Sequence, residues 1–307
     1  MTEARILAMF PGQGSQYVGM GSKLVKEFPK CKQVFEQADD AISFDIQKLC
    51  FEGPESELIL TANTQPAILT VSTVIWMILK EEFGFKPHCF AGHSLGEYSA
   101  LVASDKLDFS DAVRLVRARG QAMQEAVPTG VGAMAAVMNC DAKDLEEICG
   151  QISQGECQVQ IANYNSPQQL VIAGHKKAVD QTCLVLKEKN IRYVELAVSA
   201  PFHSRLMQPA KEKMAPLLED TQFLQNDNTI IPNLTGKSEV QYSYGRLVEQ
   251  IDSPVLWIQT LKEALALGCN TFVEIGPGKV LFGLARRSVP KGLKLVHTET
   301  LPEFSVQ

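Results

Sequence analysis

The sequence predicts an α/β protein. Its larger part is a parallel sheet with helices on its faces, and that part carries a small unit of order β-α-β-β-α-β. Three observations predict this. Short apolar runs alternate with amphipathic helical runs from Arg5 to beyond Ser110. Near Gly132 the order changes to that of a ferredoxin-like unit. At Ala200-Pro201 the chain returns to the first pattern. A chain of 307 residues has room for a large domain and a smaller companion. Residues 1–130 and 200–307 are assigned to the large domain and 131–199 to the small one.

In the large part, Arg5–Phe10 is apolar and stops at the turn Pro11-Gly12-Gln13-Gly14, which reads as a strand. Helical periodicity follows at Ser22–Ala38 and Gln65–Glu82. Lys86–Ala91 reads as a second strand, and helices are expected from Leu95 and from Ser110. In the small unit, Ala133–Cys140 is a strand and Ala142–Ile152 a helix with Asp141 as its N-cap. Gln158–Asn163 and Leu170–Ala173 pair across Asn165-Ser166-Pro167. Lys177–Lys189 is a helix and Arg192–Val198 a strand. Back in the large part, a helix is expected over Leu206–Leu218, a strand over Thr229–Leu234 and a helix from near Val255. The strand Asn270–Ile275 turns at Gly276-Pro277-Gly278 into the helix Val280–Arg287.

Composition narrows the function. Hydrophobic residues make up 45% and charged residues 21%, as in a packed globular chain. The formal net charge is −6, and no dense basic block is present, which argues against binding nucleic acid. The eight cysteines form no C-x-x-C pair and sit among apolar neighbours, as in Lys48-Leu49-Cys50-Phe51. They read as reduced thiols of a cytoplasmic protein. Ala67–Leu79 is the longest mostly apolar segment and falls short of the ~20 residues of a spanning helix. No signal peptide and no membrane association are expected.

Gly92-His93-Ser94-Leu95-Gly96 matches G-x-S-x-G between an apolar strand and a helical run. Such a turn pushes the serine hydroxyl outward, with the N–H of the next residue facing a bound acyl carbonyl. Ser94 is therefore the candidate nucleophile. It needs a base, and there are five histidines. His93 reads as a turn residue, His88 as a strand end and His175 as a helix start, while His297 has no polar companion motif. His203 lies in a loop that re-enters the large domain, where it is either a base lining a cleft or an exposed loop histidine. Arg119 falls within the apolar stripe of Ala112, Leu115, Val116, Met123 and Ala126, with Arg114 and Arg117 on the opposite side. A cation so placed has either an internal carboxylate partner or a substrate carboxylate. Gln13 lies at the C-terminal end of the first strand, where ligands bind in open α/β sheets. No cluster has metal-ligand spacing.

Taken in order, these residues resemble a family. Phe10-Pro11-Gly12-Gln13-Gly14-Ser15-Gln16 and Gly92-His93-Ser94-Leu95-Gly96-Glu97-Tyr98 look like the opening and nucleophile motifs of discrete, bacterial-type malonyl-CoA:acyl carrier protein transacylases. Arg117-Ala118-Arg119-Gly120, Asn163-Tyr164-Asn165-Ser166-Pro167, Pro201-Phe202-His203-Ser204 and Glu274-Ile275-Gly276-Pro277-Gly278 also match. The resemblance implies an α/β-hydrolase-like large domain with a ferredoxin-like small one. It implies Ser94 as nucleophile, His203 as acid and base, and the N–H groups of Gln13 and Leu95 as the oxyanion hole. Arg119 would pair with the malonyl carboxylate, with Phe202, Met123 and Asn163 also lining the substrate. The backbone carbonyl of Gln250 would orient His203. In related domains, Phe before the histidine accompanies malonyl choice, and Phe202 fits that.

The implied reaction is ping-pong transfer of malonyl from malonyl-CoA to the phosphopantetheine thiol of acyl carrier protein, serving fatty acid or polyketide synthesis. No bound cofactor is implied, and a monomer is expected. An acidic carrier would dock on Arg286, Arg287, Lys291 and Lys294, or on Lys176, Lys177, Lys187, Lys189 and Arg192. The rivals are an esterase or thioesterase, which normally has an acidic residue between serine and histidine in the chain, and a non-catalytic carrier-binding module.

Overall fold

A computed structural model describes residues 4–198 and 200–298. Ser199, in the predicted junction loop, and residues 299–307, assigned above to the large domain, lie outside the described residues. Among the described residues the strands are β1 (Ile6–Phe10), β2 (Cys89–Gly92), β3 (Gly132–Met138), β4 (Val159–Ser166), β5 (Gln169–His175), β6 (Tyr193–Glu195), β7 (Thr229–Ile230), β8 (Thr271–Glu274) and β9 (Lys294–His297). They form a five-stranded sheet of order β7-β2-β1-β8-β9 and a four-stranded sheet of order β4-β5-β3-β6. Every pairing in the first is parallel, and every pairing in the second is antiparallel.

The apolar run of β1 follows from burial on both faces. Ile6, Ala8 and Phe10 join one core with helices Thr61–Glu82 and Phe109–Glu125. Leu7 and Met9 join the opposite core with Trp257, Leu261, Leu281 and Leu284. In the small sheet the strand period of two divides the residues differently. Ala135 and Val137 of β3 pack under helices Ala142–Ile152 and Lys176–Glu188. Met134 and Ala136, on the other face, belong to the main core. One face of the small sheet therefore closes against the large part, and a cavity is left between them.

Helix Thr61–Glu82 begins four residues before the predicted start. At 22 residues it is long and apolar enough to cross a bilayer, but it is a core helix, mostly buried inside the protein. Pro66 has no N–H to offer the Ala62 carbonyl. Arg117 Nη1 supplies that donor at 2.8 Å and also bonds Asn63, with the guanidinium over the Phe44 ring. Arg117, predicted on the outer side, is thus half-buried.

Several predicted elements are corrected. The helix expected over Ser22–Ala38 is broken at Pro29 into Ser22–Glu27, a short 3-10 turn and Lys32–Ile42, because proline restricts Phe28 before it and lacks an N–H. The strand expected over Thr229–Leu234 pairs only at Thr229–Ile230, and Arg192–Val198 only at Tyr193–Glu195. Helices Ile46–Glu52, Glu55–Leu58 and Gly245–Gln250, with strand β9, were not predicted; each is short and carries little periodicity. The cap read from sequence is present: Asp141 Oδ1 accepts from Lys143 N. The helix expected from Ser110 starts at Phe109 and has a further cap, Asp108, whose Oδ1 accepts from Ser110 N and Asp111 N.

Candidate active site

The site grows out of two neighbouring strand ends. Phe10 pairs with Gly92 at the last rung of β1 and β2, so residues 11–13 and 93–95 leave the sheet side by side. Glycines let these turns touch backbone to backbone. A Cβ on Gly96 would lie 2.1 Å from the Phe10 carbonyl oxygen, and one on Gly92 1.9 Å from the Gly96 carbonyl. Ser94 takes the left-handed conformation, with φ 53°, that the strand-to-helix turn requires. Asn233 Oδ1 accepts from Ser94 N at 2.6 Å, and Asn233 Nδ2 donates to the Gly92 carbonyl. This side chain from the loop after β7 ties the turn from outside.

His203 also sits at positive φ, 57°, and is buried. Its Nδ1 lies 2.9 Å from the Gln250 carbonyl, an oxygen that can only accept. Nδ1 therefore carries the proton in the neutral ring, which leaves Nε2 to accept from Ser94 Oγ at 2.7 Å. Burial and the nearby Arg119 charge hold the His203 pKa down at about 3, so the ring is neutral near pH 7. The group orienting the histidine is a carbonyl rather than a carboxylate, in contrast to an ordinary esterase triad.

Arg119 is 1% exposed. Nη2 donates to Ser94 Oγ at 3.1 Å and to Gln250 Oε1 at 2.9 Å, and Nη1 donates to Gln65 Oε1 at 2.8 Å. Burial lowers its pKa from the ordinary arginine value, yet arginine remains protonated near neutral pH. Between the two carboxylate alternatives, no carboxylate touches its guanidinium among the described residues.

Gln13, Ser94, Leu95, Arg119, Met123, Asn163, Phe202 and His203 all line one cavity of about 200 Å³. Its far wall is the small sheet, through Met134, Val171 and Leu196. The Gln13 side chain bonds Thr61 Oγ1 at 3.3 Å. No group among the described residues takes the backbone N–H of Gln13 or of Leu95, and both segments border the Ser94 hydroxyl. The other histidines have structural places. His88 Nδ1 accepts from Ile6 N, and His175 Nδ1 accepts from Gln158 N. His93 Nε2 bonds Asn165 Oδ1 at 2.8 Å, and His297 packs edge-on against Phe282.

Sequence reasoning missed a second layer. Besides its backbone carbonyl on His203, Gln250 has a side-chain Oε1 that accepts from Arg119 Nη2, and Gln65 Oε1 accepts from the other arm of the fork. Behind them, Glu97 is buried and accepts from Tyr242 OH at 2.7 Å, Gln250 Nε2 at 2.8 Å and Asn233 N at 2.9 Å. Glu97 alone left a trace in the sequence, as a charge in the first turn of an otherwise apolar helix.

An acyl transferase domain family matches residues 8–302 of this chain. The chain is 43% identical over 299 residues to a malonyl CoA-acyl carrier protein transacylase of Bacillus subtilis, covering 95% of this chain and 93% of the relative. Its structure is similar to that of an acyl-carrier-protein S-malonyltransferase from Bartonella henselae, with TM-score 0.93, 43% identity and 97% and 96% of the two chains covered. It is also similar to a malonyl-transacylase solved in complex with a type II PKS acyl-carrier protein, with TM-score 0.90, 40% identity and 96% and 95% covered.

Proposed function

The chain belongs to the malonyl CoA-acyl carrier protein transacylase family, and on that premise we propose that it moves malonyl from malonyl-CoA to the phosphopantetheine thiol of acyl carrier protein. One observation carries this reading. A base and a buried cation meet on a single hydroxyl, with His203 Nε2 at 2.7 Å and Arg119 Nη2 at 3.1 Å from Ser94 Oγ. A nucleophile beside a buried guanidinium suits an acyl group that carries its own carboxylate.

Malonyl-CoA enters with its free carboxylate toward Arg119. Ser94 Oγ attacks the thioester carbonyl as His203 Nε2 takes the hydroxyl proton. The tetrahedral oxyanion faces the Gln13 and Leu95 N–H groups, a reading supported by the close backbone contact of the two turns that carry them. His203 returns the proton to the coenzyme A sulfur as the carbon–sulfur bond breaks, leaving malonyl-Ser94. The carrier thiol then enters, gives its proton to His203 and attacks the ester carbonyl, and Ser94 recovers its proton. In the acyl-enzyme the substrate carboxylate offsets the Arg119 charge that depresses His203, so the histidine becomes a stronger base for the thiol step. These steps draw on groups of this chain and of its two substrates.

An acidic carrier fits best on helix Val280–Ser288. Val280, Leu281 and Leu284 line the cavity, and Arg286 and Arg287 are exposed in its last turn. The alternative patch is partly neutralised, with Lys176 paired to Asp180 at 3.1 Å. The cysteines are free and mostly buried, which supports a reducing, cytoplasmic setting.

Intact-mass measurement after incubation with malonyl-CoA or acetyl-CoA tests the reading. A malonyl adduct that vanishes in Ser94→Ala is expected. Equal or preferential labelling by acetyl-CoA would overturn it.

A further inference from the structure

A buried guanidinium needs a counter-charge, since several kcal/mol of hydration are lost on burial. Arg119 has neutral oxygens on its fork, from Ser94, Gln65 and Gln250. Glu97, 1% exposed, has no cation in hydrogen-bond contact among the described residues; its partners are Tyr242 OH, Gln250 Nε2 and the Asn233 N–H. The two buried charges are joined by one amide, that of Gln250. Each stabilises the ionised form of the other, against the burial that dominates both.

The polarity of that amide is forced. Gln250 Nε2 faces two oxygens that can only accept, Glu97 Oε2 at 2.8 Å and the Ser94 carbonyl at 3.1 Å. A flipped amide would set its oxygen against both of them. Its carbonyl end therefore points the other way, at Arg119 Nη2. The same residue presents its backbone carbonyl to His203 Nδ1. A carboxylate bonded directly to Arg119 would compete with a substrate carboxylate for the fork. One held an amide away offsets the charge and leaves only neutral oxygens on the fork, which a substrate carboxylate can displace.

Resting on the malonyl-transfer reading, we propose that Glu97 is the resident counter-charge of Arg119 and, through the Gln250 amide, the residue that positions the guanidinium to select a carboxylate-bearing acyl group. Glu97 touches no substrate, so it is a positioning residue. Glu97→Gln keeps the shape, removes the charge and lets the Gln250 amide take either polarity.

The test compares single-turnover labelling of Ser94 by malonyl-CoA and by acetyl-CoA in the full-length protein. In Glu97→Gln the malonyl-to-acetyl ratio is expected to fall about tenfold or more, the scale of one charge-assisted bond, while the acetyl rate stays within about threefold. Added to Arg119→Ala, Glu97→Gln is expected to change the ratio by less than about twofold, because residues acting through one another do not add. Parallel loss of both rates, an unchanged ratio, or additive effects would overturn the proposal. If Glu97→Gln does not fold by circular dichroism, Gln250→Leu breaks the same bridge and keeps the carbonyl on His203. The same collapse of the ratio is expected there, and an unchanged ratio sinks the assignment. A wild-type protein that takes no malonyl on Ser94 defeats the transfer reading itself. A wild type that is malonylated, with variants of unchanged ratio, defeats only the role of Glu97.

Discussion

The Arg119 guanidinium donates to the Ser94 hydroxyl at 3.1 Å, so the cation that would select the acyl group rests on the atom that would attack it. A substrate carboxylate arriving at Arg119 is thereby drawn to within one acyl length of the nucleophile. Selection and alignment become a single event.

Arg119→Ala is expected to slow malonyl labelling of Ser94 by about 100-fold, equivalent to losing roughly 3 kcal/mol of charge-assisted bonding. Acetyl labelling should change by less than about tenfold, so discrimination collapses. Arg119→Lys should not restore it, because one ammonium cannot replace a fork reaching Gln65 and Gln250 together. Unchanged selectivity in Arg119→Ala would make the arginine structural.

Acylation of Ser94 should hold its rate well below the ordinary histidine pKa. Protonation disables the base, and His203 is depressed to about 3, so the acid limb moves downward. Single-turnover labelling from pH 8 to pH 5 checks this, and an acid limb near pH 6.5 would refute it. Arg119→Ala removes one of the depressing causes and should move the limb upward. The same shift links to folding. The unfolded chain takes a proton near pH 6.5 that the folded site refuses, so this stability is present above 6.5 and is lost as pH falls toward 3.

Two glycine substitutions should act in opposite directions in urea unfolding. In Gly96→Ala the new methyl would meet the Phe10 carbonyl oxygen at 2.1 Å, and a loss of about 3 kcal/mol or more is expected. In Gly150→Ala the methyl meets nothing within 4 Å on an exposed helical position, and a gain of about 0.5–1 kcal/mol is expected.

Arg286→Glu combined with Arg287→Glu should raise the KM for acyl carrier protein several-fold while saturating malonyl labelling of Ser94 proceeds at the wild-type rate. The penalty should shrink as salt is added, because it is electrostatic. An unchanged KM for the carrier would move the docking surface elsewhere.

The reacting residues were more legible than their supports. Ser94 announces itself because a strand-to-helix elbow needs glycine at fixed spacing around it. Arg119 stands out as a cation inside an apolar stripe. Asn233, Gln65 and the Gln250 side chain are neutral amides on segments far apart in the chain. Nothing local marks them, and only folding brings them to Ser94 and Arg119. The same holds for the fold. Long periodic elements such as helix Phe109–Glu125 were visible, whereas the short extent of β7 within its predicted run and the existence of edge strand β9 depend on the neighbour each pairs with.

The left-handed backbone shared by Ser94 and His203 limits how this site can change. A branched Cβ is strongly disfavoured at positive φ, so in Ser94→Thr the added methyl would clash with the residue's own main chain although the hydroxyl is kept. Ser94→Cys brings no branch and escapes that penalty. The routes open to this nucleophile are therefore set by stereochemistry ahead of reactivity: a change of element from oxygen to sulfur is the smaller step, and the addition of one methyl group the larger.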